Sequence, residues 1–123
     1  MTHSKPFRIS ERLKSFKFAF QGIYSFFRTE HNARIHLASA IAVIILGFYL
    51  RINSFEWCWI SVAITLVFIT ELLNSAIEAL CNVVSPQFNI DIKKTKDISA
   101  GAVLVASFFA MAVGLIIFLP KLL

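Results

Sequence analysis

The sequence predicts an all-α membrane protein, with an N-terminal amphipathic surface helix followed by three transmembrane helices. Of its 123 residues, 58% are hydrophobic, and the mean hydropathy is +0.75. Soluble domains usually have an apolar share of about 45–50%. The charged residues amount to 15% and are clustered, which is the pattern expected when a bilayer surrounds most of the chain. The length predicts one domain over residues 1–123.

The first predicted helix lies in the membrane interface. Residues 1–9 form a polar tail, and Ser10 is a candidate N-cap for a helix that begins at Glu11 and ends at residue 28. Apolar residues recur at helical spacing in this surface helix (10–28), and basic residues fill its other side. The pattern is typical of a helix that lies on lipid headgroups. An amphipathic helix packed on a soluble core is the alternative.

Three apolar segments predict the membrane helices, over 33–50, 57–80 and 98–119. The uncharged part of the first covers only 37–50, whereas a bilayer span needs about 20 residues. We therefore extend it backward to residue 33, with the Arg34 side chain reaching to the interface. The connectors are a short polar turn over 51–56 and a longer polar loop over 85–97.

The distribution of basic residues predicts the orientation of the helices. Nine Lys and Arg residues precede the first span or lie in 85–97, and Arg34 at the start of that span is the tenth on this side, whereas Arg51 and Lys121 lie on the other side. Because cytoplasmic segments are enriched in Lys and Arg, we expect a cytoplasmic N-terminus and an outward C-terminus. Anionic headgroups, rather than nucleic acid, then account for the net charge of +5. The first 36 residues show no pattern of a cleavable signal peptide.

A polar stripe near the end of the second span is the main indication of function. Glu71, Asn74 and Glu78 stand at i, i+3 and i+7, so that they share one face of a helix. Carboxylates within membrane segments are costly and usually mark a functional site. The alternative is that this part of the helix lies beyond the bilayer, with both glutamates solvated.

Two further polar clusters are predicted at the same membrane face, around Glu30 and Arg34 and around Lys96 and Asp97. Carboxylates can bind Mg²⁺ or accept the proton of a hydroxyl, and lysines can neutralise phosphate oxygens. These groups suit phosphoryl transfer from ATP to a lipid alcohol. The sequence contains no GxxxxGK[ST] loop, so a nucleotide would bind between helix ends and the loop. A non-enzymatic scaffold, whose carboxylates bind a cation or a partner helix, is the alternative.

The histidines and cysteines predict neither a metal site nor a disulfide. His31 and His36 lie five positions apart and share no helical face, so we expect them at the interface rather than in a metal site. Cys58 and Cys81 lie in apolar surroundings without CxxC spacing, which indicates packing residues.

The segments ELLNSAIEAL at 71–80 and KDISAGAVLVA at 96–106 resemble the prokaryotic diacylglycerol kinase family, which includes the undecaprenol kinases. The similarity extends to FQG at 20–22 and RTEHNARIHL at 28–37. It covers the chain from about Arg12 to Leu119. The resemblance implies a homotrimer in the bacterial inner membrane, with sites composed between subunits. It also implies phosphorylation of diacylglycerol or undecaprenol with ATP and Mg²⁺.

The resemblance further implies roles for single residues. Glu71 matches a general base that activates the lipid hydroxyl. Asn74 matches a polar partner in the active site, and Arg34 is expected to shape it.

The nucleotide side of the site is implied in the same way. Glu30 and Glu78 match a pair that binds Mg²⁺ with ATP, and Lys96 and Asp97 match an ATP-contacting pair. The sequence departs from the family at Asn82, where an Asp is frequent. This departure removes a carboxylate and leaves an inactive homologue as a further alternative.

Overall fold

The computed structural model describes residues 6–123, which form four α-helices. They are α1 (Ile9–Thr29), α2 (His31–Tyr49), α3 (Ser54–Val84) and α4 (Ile90–Leu122). Within this range there is no β-strand. The last three helices are long and apolar enough to cross a membrane. The predicted all-α architecture, three membrane helices preceded by an N-terminal helix, is therefore confirmed.

Helix α1 begins earlier than predicted. Residues 1–5 of the predicted tail lie outside the described range, and the helix starts at Ile9, not Glu11. Arg8 is the N-cap, with an extended backbone (φ −132°, ψ 130°), and its carbonyl accepts a hydrogen bond from the Arg12 amide at 3.3 Å. Ser10 therefore lies inside the first turn, and its prediction as the N-cap is wrong.

The apolar face of α1 is open to its surroundings. Leu13, Phe16 and Phe20 remain 65%, 66% and 69% exposed. A helix packed on a soluble core would bury such side chains, because their burial supplies most of the packing energy. This exposure therefore favours contact with lipid over the soluble alternative.

The bend between α1 and α2 is centred on Glu30. Its backbone is extended (φ −99°, ψ 121°), so it serves as C-cap of α1 and N-cap of α2. Arg34 donates hydrogen bonds to the carbonyls of Phe27, at 3.1 Å, and of Arg28. The last carbonyls of a helix have no partner within it, so a cation there satisfies them and interacts well with the helix dipole. Arg34 thus fixes the bend. The sequence pattern predicted that its side chain extends to the interface but did not predict this role.

The connector between α2 and α3 is shorter than the predicted turn over 51–56. Asn53 and Glu56 form a capping box, in which Asn53 Oδ1 accepts from the Glu56 amide at 2.8 Å and Glu56 Oε1 accepts from the Asn53 amide at 3.0 Å. This reciprocal pair starts α3 at Ser54. Arg51 adopts a positive φ of 54°, which lets the Ile52 amide donate to the Gly47 carbonyl at 3.1 Å and closes the end of α2.

Helix α4 begins before the predicted span of 98–119, so the predicted loop over 85–97 is wrong in its second half. Asn89 caps the helix, because its Oδ1 accepts from the amides of Asp91 (2.9 Å) and Ile92 (3.3 Å). Lys96 and Asp97 consequently lie on the second turn of a helix. The Asn89 cap and the acidic Asp91 in the first turn stabilise the start of the helix, although the segment is rich in charged residues.

Helices α3 and α4 pack together most extensively. A continuous core lies between the N-terminal half of α3 and the C-terminal half of α4, and it includes Ile60, Ala63, Val113 and Ile117. The Trp57 ring packs on Gly47 of α2 so closely that an added Cβ at Gly47 would lie 2.6 Å from its Cη2 atom. One end of the bundle is therefore tightly packed.

Candidate active site

The Glu71 carboxylate is buried inside the bundle. Glu71 is only 4% exposed, on the helix α3 that is apolar enough to span a membrane. A buried charge is very costly unless it is paired and hydrogen-bonded. The alternative of a solvated glutamate therefore does not hold at position 71, and the carboxylate needs a partner from another helix.

His36 of α2 provides that partner. Its Nε2 atom lies 2.9 Å from Glu71 Oε1. An ionised carboxylate only accepts hydrogen bonds, so in a pair with ionised Glu71 it is Nε2 that donates. The sequence pattern placed His36 at the interface and did not predict this contact, in which the His36 side chain is 26% exposed.

The neighbours of His36 on α2 explain this placement. Ala33 and Ala40 are buried, at 0% and 8% exposure, and they stand three residues before and four residues after His36. Residues at these spacings share a helical face. His36 is therefore on the face of α2 that packs into the bundle.

The predicted polar stripe lies along one side of α3. The helix runs without interruption through residues 71–82, and at about 100° per residue Glu71, Glu78 and Asn82 point in nearly the same direction. Asn74 is turned about 60° to one side of them. The polar groups of α3 are therefore displayed in a row over three helical turns.

Asn74 is fixed by α4. The Ser99 hydroxyl donates to Asn74 Oδ1 at 2.7 Å, and Ser99 is buried. The sequence pattern had not singled out Ser99, although it is a small polar residue one turn after Lys96 in an apolar segment. Its hydrogen bond leaves the Asn74 amide group with a defined orientation.

Lys96 and Asp97 point in different directions. Lys96 donates from Nζ to Asn82 Oδ1 on α3 at 2.6 Å. Asp97 is exposed and accepts from Lys93 on its own helix at 2.6 Å. Neighbouring helical residues do not share a face, so the structure directs Lys96 toward the stripe and Asp97 away from it.

Glu30 lies at the bend between α1 and α2 and Glu78 lies on α3, and both side chains are partly buried. Glu30 lines a cleft between α1 and α3, whose opposite wall includes Ser75 and Ala79. Among residues 6–123, no three His, Cys, Asp or Glu side chains gather as metal ligands. Mg²⁺ usually keeps several waters and is held by one or two carboxylates together with phosphate oxygens. Two glutamates therefore suit Mg²⁺ that arrives with a nucleotide, rather than a metal held by protein alone.

An apolar groove adjoins the His36–Glu71 pair. It runs between α2, α3 and α4, with Ala63, Val67 and Phe68 in its walls. His36 and Ser39 are its polar lining residues. His36 therefore contacts the groove with its ring and the buried carboxylate with Nε2.

Known proteins match this chain over most of its length. The family model described as prokaryotic diacylglycerol kinase matches residues 17–118. An undecaprenol kinase of Bacillus subtilis is 42% identical over 109 residues, which cover 89% of this chain and 89% of that protein. A diacylglycerol kinase of Synechocystis is 37% identical over 112 residues, which cover 90% of this chain and 64% of that protein.

The matched range contains all the side chains of the stripe on α3 together with their partners on α2 and α4. The three apolar helices make the protein a multi-pass membrane protein, and its relatives are lipid kinases. The chain is thus a membrane lipid kinase and belongs to the prokaryotic diacylglycerol kinase family.

Proposed function

We propose that the protein transfers the γ-phosphate of Mg²⁺-bound ATP to the hydroxyl of a membrane lipid alcohol at the cytoplasmic face of the bacterial inner membrane. The buried Glu71 carboxylate beside the apolar groove carries this proposal. A water-soluble alcohol gains nothing from such a groove. The chain of a lipid can enter it and bring a terminal hydroxyl to Glu71.

Glu71 is the proposed general base. It accepts the hydroxyl proton while the lipid oxygen forms a bond to the γ-phosphorus, and the bond from that phosphorus to the ADP oxygen breaks. Lys96 supplies positive charge to the transferring phosphoryl oxygens. Asn74, oriented by its hydrogen bond from Ser99, contacts the polar end of the substrate.

Glu30 and Glu78 are the proposed ligands of Mg²⁺, which when bound neutralises charge on the phosphate oxygens. The position of Glu30 in the cleft beside Ser75 and Ala79 supports this assignment. Arg34 shapes the site indirectly, because it fixes the bend that carries Glu30. Asp97, which is exposed, would contact the nucleotide by exchanging its bond to Lys93.

The proposed active form is a homotrimer with sites shared between neighbouring chains. Leu104, Val105 and Phe108 of α4 are 56–71% exposed in a single chain. Such surfaces suit helix packing with another copy as well as contact with lipid, and a second chain would help to enclose a nucleotide.

The proposed orientation follows from the two ends of the bundle. Arg51 lies in the connector between α2 and α3, and Lys121 lies near that end through its ion pair with Glu56 at 3.4 Å. The other ten basic residues belong to the N-terminal segment, the start of α2 and the start of α4. That second end is the proposed cytoplasmic face.

Undecaprenol is the first candidate substrate, because the relative named for it is 42% identical and matches 89% of its own length. The test offers undecaprenol and diacylglycerol side by side in mixed micelles, with purified protein, Mg²⁺ and ATP. We expect undecaprenyl phosphate as the main product. Phosphatidic acid as the main product would reassign the lipid, and a folded sample that yields neither product would contradict the proposal.

A further inference from the structure

We propose that His36 is a positioning residue that holds the Glu71 carboxylate in the orientation needed to accept the hydroxyl proton. This inference rests on the proposed role of Glu71 as the base. The contact is between helices: His36 belongs to α2 and Glu71 to α3, with 2.9 Å between Nε2 and Oε1. The orientation of the base is therefore set by a helix other than its own.

The burial of both residues supports a fixed geometry. Glu71 is 4% exposed, so water has little access to replace the hydrogen bond from His36. The imidazole is placed by its position between Ala33 and Ala40 on the buried face of α2. A glutamate side chain is otherwise flexible, and ordering it has a substantial entropic cost. A histidine that already orders the carboxylate removes that cost from the reaction.

The position of the groove indicates that His36 acts on the lipid side of the site and not on the ATP side. The ring of His36 lines the groove proposed for the lipid chain, whereas Lys96 contacts Asn82 on a later turn of α3. The hydrogen bond engages Oε1 of Glu71 and leaves Oε2 for the proton of the lipid hydroxyl. Loss of His36 should therefore slow the transfer step without weakening the binding of ATP.

The test compares His36→Leu with His36→Gln in the full-length protein in mixed micelles. The leucine removes the hydrogen-bond donor, and we expect kcat to fall about 10- to 100-fold, as for a lost hydrogen bond to a charged group. KM for ATP should change less than about twofold. The glutamine can still donate a hydrogen bond from its amide, so the fall in kcat should be smaller in His36→Gln. On a logarithmic scale it should be at most about half of the fall in His36→Leu.

Two controls separate a positioning role from an effect on folding. Glu56→Gln breaks the ion pair between α3 and Lys121 at the other end of the bundle, and it should leave kcat unchanged. Thermal unfolding in the same detergent tests whether each variant is folded.

Normal kcat in His36→Leu would overturn the inference. It would also be overturned if both His36 variants lost kcat, ATP affinity and thermal stability together, because that result indicates a purely structural role. Glu71→Gln is measured alongside. If it is inactive while His36→Leu is normal, only the positioning role fails; if it is active, the base assignment fails as well.

Discussion

The two ends of α3 use polar residues in opposite ways. At the N-terminal end, Asn53 and Glu56 cap the helix, Glu56 adds a partly exposed ion pair with Lys121 of α4, and the interior is formed by apolar side chains. In the segment 71–82, each polar side-chain contact joins α3 to another helix, either α2 or α4. These contacts are Glu71 with His36, Asn74 with Ser99, and Asn82 with Lys96.

The difference separates the residues that stabilise the bundle from those that carry its chemistry. The continuous apolar core includes Ile60, Ala63 and Val113, and it contains no residue of 71–82. We therefore expect changes at one end to affect activity and changes at the other to affect stability.

The largest expected effect is loss of the base. Glu71→Gln keeps the side-chain volume and can still accept the hydrogen bond from His36, so the bundle should remain folded. Without a base the rate should fall about 10²- to 10⁴-fold. Initial rates of lipid phosphorylation test the loss of activity, and thermal unfolding of the same sample tests whether the bundle is folded. A rate within tenfold of that of the original protein would contradict the division of α3 into a stabilising end and a reacting end.

The next effect concerns the metal. Glu78→Gln removes one of two proposed carboxylate ligands, and we expect KM for Mg²⁺-bound ATP to rise at least about tenfold. Because the metal site is weakened and not abolished, excess Mg²⁺ should restore part of the rate. A Mg²⁺ titration of the initial rate provides the measurement. An unchanged Mg²⁺ dependence would argue against the ligand role.

Gly47 tests the stabilising role of the bundle end that contains the start of α3. An added Cβ at Gly47 would lie 2.6 Å from Trp57 Cη2, whereas one at Gly101 would have open space within a single chain. Gly47→Ala should destabilise the protein by about 1–3 kcal/mol through overpacking. Gly101→Ala should stabilise it by about 0.4–1 kcal/mol through the unfolded state. Thermal unfolding tests these opposite signs, and kcat at low temperature should change little in Gly47→Ala.

Much of the fold could be predicted because its signals are local. Hydropathy identified the three membrane helices, and the spacing of Glu71, Asn74 and Glu78 identified the stripe. The ends of the helices were less accessible. The charges in 85–97 suggested a loop, but the Asn89 cap and the acidic first turn allow α4 to begin at Ile90.

The site could be predicted only as residues, not as contacts. Glu71 was identified as a membrane carboxylate, but its partner lies 35 positions away on another helix. Periodicity shows which face a residue occupies and does not show which helix packs against that face. For the same reason Ser99 was not singled out, although it orients Asn74.

The smallest expected effect distinguishes the two roles of Glu56. Glu56→Gln removes the ion pair with Lys121, whose Nζ lies 3.4 Å away and is partly exposed, so it should cost about 0.2–1 kcal/mol. Its amide oxygen can still accept from the Asn53 amide, because glutamine serves in a capping box as well as glutamate. Glu56→Ala removes both contacts and should cost about 0.5–1.5 kcal/mol more.

Chemical unfolding of the two Glu56 variants measures this increment, and lipid phosphorylation should proceed at the original rate in both. Equal stability of the two variants would mean that the hydrogen bond from the Asn53 amide to Glu56 contributes nothing measurable. A reduced kcat in Glu56→Gln would mean that the ends of α3 are coupled. The division of α3 into a stabilising end and a reacting end would then fail, because an ion pair remote from Glu71 would be influencing the transfer step.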